Sequence, residues 1–382
     1  MTARRIPFID LDAQRRRLGA GLDAAIARVL ERGDFIQGKE VRALEEKLAE
    51  FANVPHCVTC GNGTDAMTLV ALAEGFGPGD AVFVPAFTYV ASAEAFRVLG
   101  ITTFFVDVEE NGFGIDTKSL ERAITQVRKA GITPRMIVAV DLFGEPCDYS
   151  ALRTVAEREG LILLSDAAQS FGALYNNARV GALADYTTTS FFPSKPLGAY
   201  GDGGAIFTRG AEKAALLRSL SQHGKGEDKY DNRMIGLNSR LDTLQAAVLL
   251  EKLAILPEEL EARELVAQFY SQGLDSRAKA PMIRKEARSA WAQYTIILPD
   301  GARRTVQDAL SKSGVPTAVY YPIPLNRQTG YLDCPVVSEG VPRSDALAGT
   351  VLSLPMHPYL DAETQGYILT CLSAALDQAH AD

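Results

Sequence analysis

Short apolar runs and helical patterns alternate along the chain from residue 38 to about residue 210. In segment 38–54, Val41, Leu44, Leu48 and Phe51 recur at helical spacing, which predicts an amphipathic helix. The apolar runs are AVFVP (81–85), TTFFVDV (102–108), MIVAVDLFG (136–144), LILLSDAA (161–168), YTTTSFF (186–192) and GAIFT (204–208). Such runs, separated by helices, are typical of a mostly parallel sheet that helices cover on both faces. Ligands bind these sheets beyond the carboxyl ends of the strands.

A long helical pattern over about 241–274, interrupted at Pro257, leads into a second region with a different pattern. There we predict a strand in WAQYTIILP, a helix in RRTVQDALSKSG, a strand in VPTAVYYP and a closing helix near 362–378. The chain is therefore predicted to be an α/β protein with two domains. A large α/β domain spans 1–250, and a smaller carboxyl-terminal α+β domain spans 251–382.

Composition and charge narrow the class of protein. The 382 residues are 47% hydrophobic and 23% charged, which is ordinary for a globular enzyme. A net charge of −8 argues against nucleic acid as the main partner. No apolar run has the length of a membrane span and the first residues lack the apolar core of a signal peptide, so we expect a cytoplasmic protein without membrane contact. We interpret Cys57 and Cys60 of HCVTC as packing residues rather than as a metal or redox pair.

Two ionisable residues follow successive apolar runs, Asp166 in LILLSDAAQS and Lys195 in SFFPSKPLGAYGDGG. A carboxylate at the end of a buried strand is costly unless it is paired, although a helix cap or a turn would also explain it. A lysine in a partly apolar pocket has a lowered pKa and can act as an amine nucleophile. An aspartate for a pyridinium nitrogen and a lysine for a Schiff base together form the arrangement of pyridoxal phosphate enzymes.

The segment CGNGTDAMTLVALAEG supplies a candidate phosphate site. Gly61 and Gly63 allow a tight turn, and Thr64 opens a helix whose free N–H groups and dipole favour an anion. Helix capping by Asn62 or Thr64 is the alternative interpretation. Ser190, five residues before Lys195, can offer a hydroxyl to the same phosphate. Tyr89 follows the strand AVFVP and can either stack on a flat cofactor or simply pack.

Several longer motifs resemble one enzyme family almost end to end. They are NGTDA, PAFTYVAS, DAAQSFG, SFFPSKPLGAYGDGGAIFT, NSRLDTLQAAVL and YYPIPLNRQ. Together they are similar to the DegT-type (DegT/StrS) nucleotide-sugar aminotransferases, which are pyridoxal phosphate enzymes of fold type I. Some members of this family carry a histidine in place of the lysine and are dehydratases. Lys195 is present here, so the resemblance implies amino transfer.

The resemblance also implies a role for each residue of the site. Lys195 binds the cofactor aldehyde covalently and moves protons, and Asp166 pairs with the ring nitrogen. Gln169 lies near the phenolic oxygen of the ring, and Tyr89 stacks on it. The residues implied to hold the phosphate are Gly63, Thr64, Ser190 and, reaching across from a second subunit, Asn238. A homodimer with shared active sites follows from that last contact.

The substrate class rests on the motif YYPIPLNRQ. Tyr320 and Asn326 stand where the family commonly has histidines, and this version is similar to enzymes that aminate C3 of UDP-2-acetamido-2-deoxy-3-oxo-glucuronic acid. Such an enzyme would take the amine from L-glutamate and serve the synthesis of a surface polysaccharide (O-antigen) sugar. Arginine binds carboxylates as a fork, so Arg327 and Arg240 are candidates for the uronate, with Tyr321 and Tyr320 as hydrogen-bonding partners.

Three other functions stay open from the sequence alone. Amination at C4 of a 4-keto-6-deoxy nucleotide sugar would need no carboxylate contact. Lyase or dehydratase chemistry could use the same cofactor. A cofactor-binding regulator without catalysis is the alternative from a different class, and the presence of Lys195, Asp166 and the phosphate site argues against it.

Overall fold

A computed structural model describes residues 6–228 and 230–381. Its strands are β1 His56–Cys60, β2 Asp80–Pro85, β3 Thr102–Val106, β4 Thr133–Val140, β5 Ile162–Asp166, β6 Leu174–Tyr175, β7 Ala178–Arg179, β8 Tyr186–Ser190, β9 Gly204–Thr208, β10 Ala287–Arg288, β11 Tyr294–Ile297 and β12 Val351–Leu354. Its α-helices are α1 Leu11–Arg32, α2 Lys39–Ala52, α3 Gly63–Ala73, α4 Ala91–Arg97, α5 Thr117–Lys129, α6 Tyr149–Glu159, α7 Ala211–Leu220, α8 Thr243–Gly273, α9 Arg303–Lys312, α10 Pro342–Thr350 and α11 Ala362–Ala381.

Seven strands form the central sheet in the order β1-β9-β8-β5-β4-β2-β3. Strand β9 runs antiparallel to both of its neighbours, and the other pairs are parallel. The sheet is buried because its strands are apolar on both faces, as Phe83, Val138 and Leu164 show. This architecture confirms the predicted α/β class with a mostly parallel sheet.

Most predicted elements coincide with observed ones. The helix expected in segment 38–54 is α2, and it buries Val41, Leu44 and Leu48. The run HCVTC is strand β1, where Cys57 and Cys60 are both buried. Burial raises the pKa of both thiols, so they stay protonated and pack as small apolar groups, as predicted. Among the described residues, no group of three acidic, histidine or cysteine side chains could hold a metal ion.

The smaller carboxyl-terminal region has its own apolar core. Strands β11 and β12 pair antiparallel, and α9 and α11 pack together beside them. Helix α8 contributes Leu249 to the core of the central sheet and Tyr270 to this second core. The expected domain boundary at residue 250 therefore falls inside a helix that serves both cores, and the division into two domains stays a prediction.

Two local predictions were wrong. Helix α8 continues through Pro257, because buried side chains on both sides, including Leu256 and Leu260, hold the helix despite the missing N–H group. The segment VPTAVYYP forms no strand and makes only one bridge, between Ala318 and Ser353. Prolines at its second and last positions cannot donate to a ladder, which limits pairing. None of the helices in the described part of the chain is both long and apolar enough to span a bilayer.

Candidate active site

A cavity of 610 Å³ lies at the carboxyl ends of the central strands, where the parallel sheet predicts a ligand. Four of its lining residues come from segments that follow strands of the sheet. Tyr89 follows β2, Asp141 follows β4, Gln169 follows β5 and Lys195 follows β8. The strands thus bring together side chains that lie more than one hundred residues apart in the sequence.

Asp166 is the last residue of β5 and is buried in the wall of the cavity. Its Oδ2 accepts a hydrogen bond from Ser92 Oγ at 2.7 Å, and its Oδ1 accepts one from the Ala168 N–H at 3.2 Å. Burial raises the pKa of Asp166, while these hydrogen bonds and the charge of Lys195 act in the opposite direction. The contact with Ala168 belongs to a turn, and this turn leaves the cofactor interpretation of Asp166 open as a prediction.

Lys195 lines the same cavity from the loop after β8. Desolvation lowers the pKa of Lys195, and the charge of Asp166 acts against that effect. Within the described residues, Lys195 is the single cationic side chain among those that line the cavity. A lysine with a lowered pKa offers a larger fraction of neutral amine, which is the form that attacks an aldehyde.

The start of α3 forms one end of the cavity. Asn62 caps the helix, and its Oδ1 accepts a hydrogen bond from the Asp65 N–H at 2.8 Å. A Cβ atom on Gly63 would lie 2.9 Å from the Cβ of Ser190, so only glycine lets these two segments approach so closely. Gly63, Thr64 and Ser190 all line the cavity beside this helix N-terminus. Capping by Asn62 therefore does not exclude an anion at the same turn, and the phosphate role stays a prediction.

Aromatic rings form the outer wall. The ring of Tyr89 lies 5.8 Å from that of Tyr321, with an interplanar angle of 35°, and Tyr320 lines the cavity beside them. Gln169 connects this wall to the backbone, because its Oε1 accepts a hydrogen bond from the Phe143 N–H at 2.6 Å. Its Nε2 donates to the hydroxyl of Tyr321 at 3.4 Å. Burial raises the pKa of Tyr321, so its hydroxyl stays protonated and can donate.

Three residues from the sequence prediction lie outside this cavity within one chain. Asn238 is exposed and makes a bridge with Gln222, and Arg240 lines a separate, open surface depression. Arg327 is mostly exposed and forms an ion pair with Asp345 at 2.6 Å. The roles predicted for them in phosphate and substrate binding stay predictions.

Sequence reasoning missed two side chains that take part in the site. Ser92 donates to Asp166, and its position on the first turn of α4, three residues after Tyr89, is a signal that could have indicated it. Gln293 lines the cavity and is buried, and its Oε1 has no hydrogen-bond partner among the described residues. The local pattern of WAQYTIILP does not indicate that Gln293 lines the cavity, because tertiary packing of the small carboxyl-terminal region brings it there.

Comparison with known proteins identifies the family. Residues 17–373 match the DegT/DnrJ/EryC1/StrS aminotransferase family. The chain belongs to this family. It is 45% identical to the UDP-2-acetamido-2-deoxy-3-oxo-D-glucuronate aminotransferase of Pseudomonas aeruginosa, over 96% of this chain and 99% of that protein. It is 38% identical to the UDP-N-acetyl-3-dehydro-alpha-D-glucosamine 3-aminotransferase of Acidithiobacillus ferrooxidans, over 97% and 98% of the two chains.

The fold is shared with solved structures of the family. A DegT DnrJ EryC1 StrS aminotransferase from Brucella abortus superposes with a TM-score of 0.95 at 46% identity, over 97% of this chain and 99% of that one. Related structures contain the pyridoxamine form of the cofactor. The chain is therefore a pyridoxal phosphate-dependent nucleotide-sugar aminotransferase with the fold expected from its motifs.

The geometry of the cavity fits this cofactor. The close approach of Gly63 to Ser190 leaves a cradle at a helix N-terminus for the phosphate. The buried carboxylate of Asp166 suits a cationic ring nitrogen, which would compensate the cost of its burial. Lys195 supplies an amine to the same space.

Proposed function

We propose that this aminotransferase moves the amino group of L-glutamate to C3 of UDP-2-acetamido-2-deoxy-3-oxo-glucuronic acid. The observation that carries the proposal is the convergence of Lys195, Asp166 and the start of α3 on one cavity. The relative from Pseudomonas aeruginosa, whose name states this uronate substrate, supports the choice of sugar. A cytoplasmic location is part of the same proposal.

Lys195 has two tasks in this proposal. When bound, pyridoxal phosphate supplies an aldehyde that captures amines and a ring that accepts the electrons of a carbanion. The Nζ of Lys195 would hold that aldehyde covalently before the amino donor binds. The same amine would take a proton from the α-carbon of the donor, and its lowered pKa favours the neutral form that can do so.

Asp166 would hold the ring nitrogen of the cofactor in its protonated form. Its carboxylate is oriented by Ser92 on one oxygen and by the backbone of Ala168 on the other. Gln169 is fixed by Phe143 and directs its Nε2 toward the wall that carries Tyr321. Gly63, Thr64 and Ser190 would bind the phosphate, as the cradle at the start of α3 suggests.

Substrate binding is proposed to involve both chains of a homodimer. Tyr320 and Tyr321 lie at the cavity within one chain, whereas Asn238 and Arg240 lie on a segment outside it. A second copy would bring Asn238 to the phosphate. Sedimentation velocity should give twice the chain mass of 41.2 kDa, and a monomer would contradict this arrangement.

Replacement of the nucleophile tests the reaction type. We expect Lys195→Ala to lose turnover by a factor on the order of a thousand or more, because the variant has neither the covalent attachment nor the proton carrier. It should still bind pyridoxamine phosphate, since the phosphate cradle and Asp166 are intact. Release of 2-oxoglutarate from glutamate measures the reaction, and Lys47→Met, on the exposed face of α2, is the control. Full turnover in Lys195→Ala would contradict the proposal.

The sugar is tested with three keto-substrates under the same conditions. We expect the UDP-3-oxo-glucuronate to react fastest, the UDP-3-oxo-N-acetylglucosamine more slowly, and a 4-keto-6-deoxy sugar slowest. Arg327→Ala and Arg240→Ala should raise KM for the uronate by about tenfold and leave KM for the neutral sugars unchanged, because only the uronate has a carboxylate to lose contact with. Fastest turnover of the 4-keto-6-deoxy sugar would replace the proposal by C4 amination.

A further inference from the structure

The loop that carries Lys195 is a closed structure with its ends tied together. The Phe191 N–H donates to the carbonyl of Gly203 at 2.7 Å, and the Ala199 N–H donates to the carbonyl of Phe191 at 2.7 Å. Within the loop, the Lys195 N–H donates to the carbonyl of Phe192 at 2.9 Å. The backbone position of Lys195 therefore depends on the few residues between 191 and 203.

Helix α8 contacts this loop at two points. The Oε1 of Gln245 accepts from the Tyr200 N–H at 2.8 Å, and its Nε2 donates to the Tyr200 carbonyl at 3.4 Å. The Nζ of Lys252 donates to the carbonyl of Gly198 at 2.7 Å. Gln245 and Lys252 are seven residues apart, which is close to two helical turns, so both face the loop from one side of α8.

Lys252 is unusual because it is almost fully buried and forms no ion pair within the described part of the chain. Its side chain is 1% exposed, and no carboxylate of the described residues lies within ion-pair distance of it. Its Nζ lies 4.2 Å from the ring centroid of Tyr200, which is a cation–π contact. Burial lowers the pKa of Lys252 to about 8, and the charge of Glu259 acts in the opposite direction. Burial of an amine is costly, and its one hydrogen bond goes to the Lys195 loop.

The bonded carbonyl belongs to the tightest point of the loop. A Cβ atom on Gly198 would lie 2.4 Å from the carbonyl oxygen of Pro193, so the chain is folded closely on itself there. Two residues separate Gly198 from Lys195, and one of them is the rigid Pro196. A shift at Gly198 is therefore transmitted to Lys195 with little loss.

We propose that Gln245 and Lys252 form a two-point clamp, here called the α8 clamp, which fixes the loop and thereby places the Lys195 amine in the cavity. Both are positioning residues, since neither lines the cavity. The effect of the clamp on catalysis rests on the proposed role of Lys195, whereas its effect on the loop does not. A displacement of a reacting group by about 1 Å can cost about a hundredfold in rate.

The first test compares Lys252→Met with Lys47→Met, an identical exchange at an exposed position of α2. Hydrogen exchange of the amides of residues 192–200 is measured on the protein without added cofactor. We expect these amides to exchange about tenfold faster in Lys252→Met than in Lys47→Met, because the bond to Gly198 is lost. Equal exchange in the two folded variants would overturn the clamp. This outcome does not depend on which sugar the enzyme aminates.

The second test uses the other point of contact, which keeps the proposal falsifiable if Lys252→Met does not fold. Gln245 is only half-buried, and Gln245→Glu keeps the acceptor for Tyr200 while Gln245→Leu removes it. We expect Gln245→Leu to speed exchange of the loop amides and Gln245→Glu to leave it near the wild-type rate. Equal exchange in both variants would overturn the clamp.

Catalytic readouts then test what the clamp does for Lys195. In Lys252→Met we expect kcat to fall about tenfold to a hundredfold with KM unchanged, because the loop position affects the reacting amine and not the sugar. The pH titration of the visible absorbance of the cofactor-loaded enzyme, which reports the bond between Lys195 and the cofactor, should also shift. If the loop amides exchange faster while kcat and the pH titration of the absorbance stay unchanged, the positioning role is overturned.

Discussion

Two neighbouring strands each deliver an aspartate to the same wall of the cavity. Asp141 follows β4 and Asp166 ends β5, and both lie on segments that the sequence shows as apolar runs ending in an aspartate. Burial raises the pKa of both carboxyls, that of Asp141 to about 7. The apolar runs before Asp141 and Asp166 do not distinguish the two residues, and neither does the direction of their pKa shifts.

Their partners separate them. Asp141 is fully buried and accepts from Cys147 N–H, from the hydroxyl of Tyr149 and from Ser170 Oγ at distances of 2.7 to 2.9 Å. Asp166 has the hydroxyl of Ser92 and one backbone N–H, and the charge of Lys195 acts on it. A carboxyl whose partners are all structural stabilises the fold, whereas one that faces a cation across a cavity is available to a ligand.

The largest expected effect comes from Asp166→Asn. The amide cannot hold a proton on the cofactor ring nitrogen, so we expect kcat to fall by a factor on the order of a thousand. Stability should change little, because the carbonyl oxygen of the amide still accepts a hydrogen bond from Ser92 or Ala168. Steady-state release of 2-oxoglutarate and urea unfolding measure the two quantities. The comparison fails if Asp141→Asn reduces kcat as much as Asp166→Asn does.

The same contrast explains what could be predicted of the site. Asp166 ends a buried strand, Lys195 lies in the loop after the neighbouring strand, and Gly63 opens a helix. These residues could be found because a parallel sheet collects strand ends at one edge. Tyr320 and Tyr321 reach the cavity although their segment is not the predicted strand. The family motif pointed to these two residues, whereas the periodicity did not, and their role in substrate binding stays a prediction.

The remainder depended on packing between distant parts of the chain. The local pattern predicted a break at Pro257, and the cores on either side of α8 keep the helix continuous. Arg327 carries a charge that a substrate carboxylate could use, but within this chain it forms an ion pair with Asp345. Gln293 and Lys252 have no motif of their own, because burial against another segment defines their surroundings. Such contacts are properties of the tertiary structure.

A second prediction concerns the pH dependence of stability. The carboxyl of Asp141 has an ordinary pKa of 3.8 when unfolded and about 7 when folded, so between these values only the native state holds the proton. Its contribution is therefore fully present below about pH 4 and is lost as the pH rises through 7, up to about 4 kcal/mol. Asp141→Asn should remove this slope from urea unfolding measured between pH 4.5 and 8. Glu145, whose pKa burial also raises to about 7, keeps its own slope in both proteins. Identical pH profiles would show that Asp141 does not titrate in this range.

The smallest expected effect, and the sharpest one, comes from Tyr149→Phe. The hydroxyl of Tyr149 lies 2.9 Å from both oxygens of Asp141 and 2.6 Å from Ser165 Oγ, and its loss should cost about 1 kcal/mol of unfolding free energy. That hydroxyl stabilises the ionised carboxylate, so its removal raises the pKa of Asp141 further. The loss should therefore be larger at pH 8.5, where Asp141 is ionised in the native state, than at pH 5.5, where it is protonated.

Urea unfolding of Tyr149→Phe at these two pH values measures the difference, and kcat per folded molecule should stay near that of the wild type. An equal loss at both pH values would mean that Tyr149 contributes packing alone, and a large loss of kcat would place the Asp141 network in the reaction rather than in the fold.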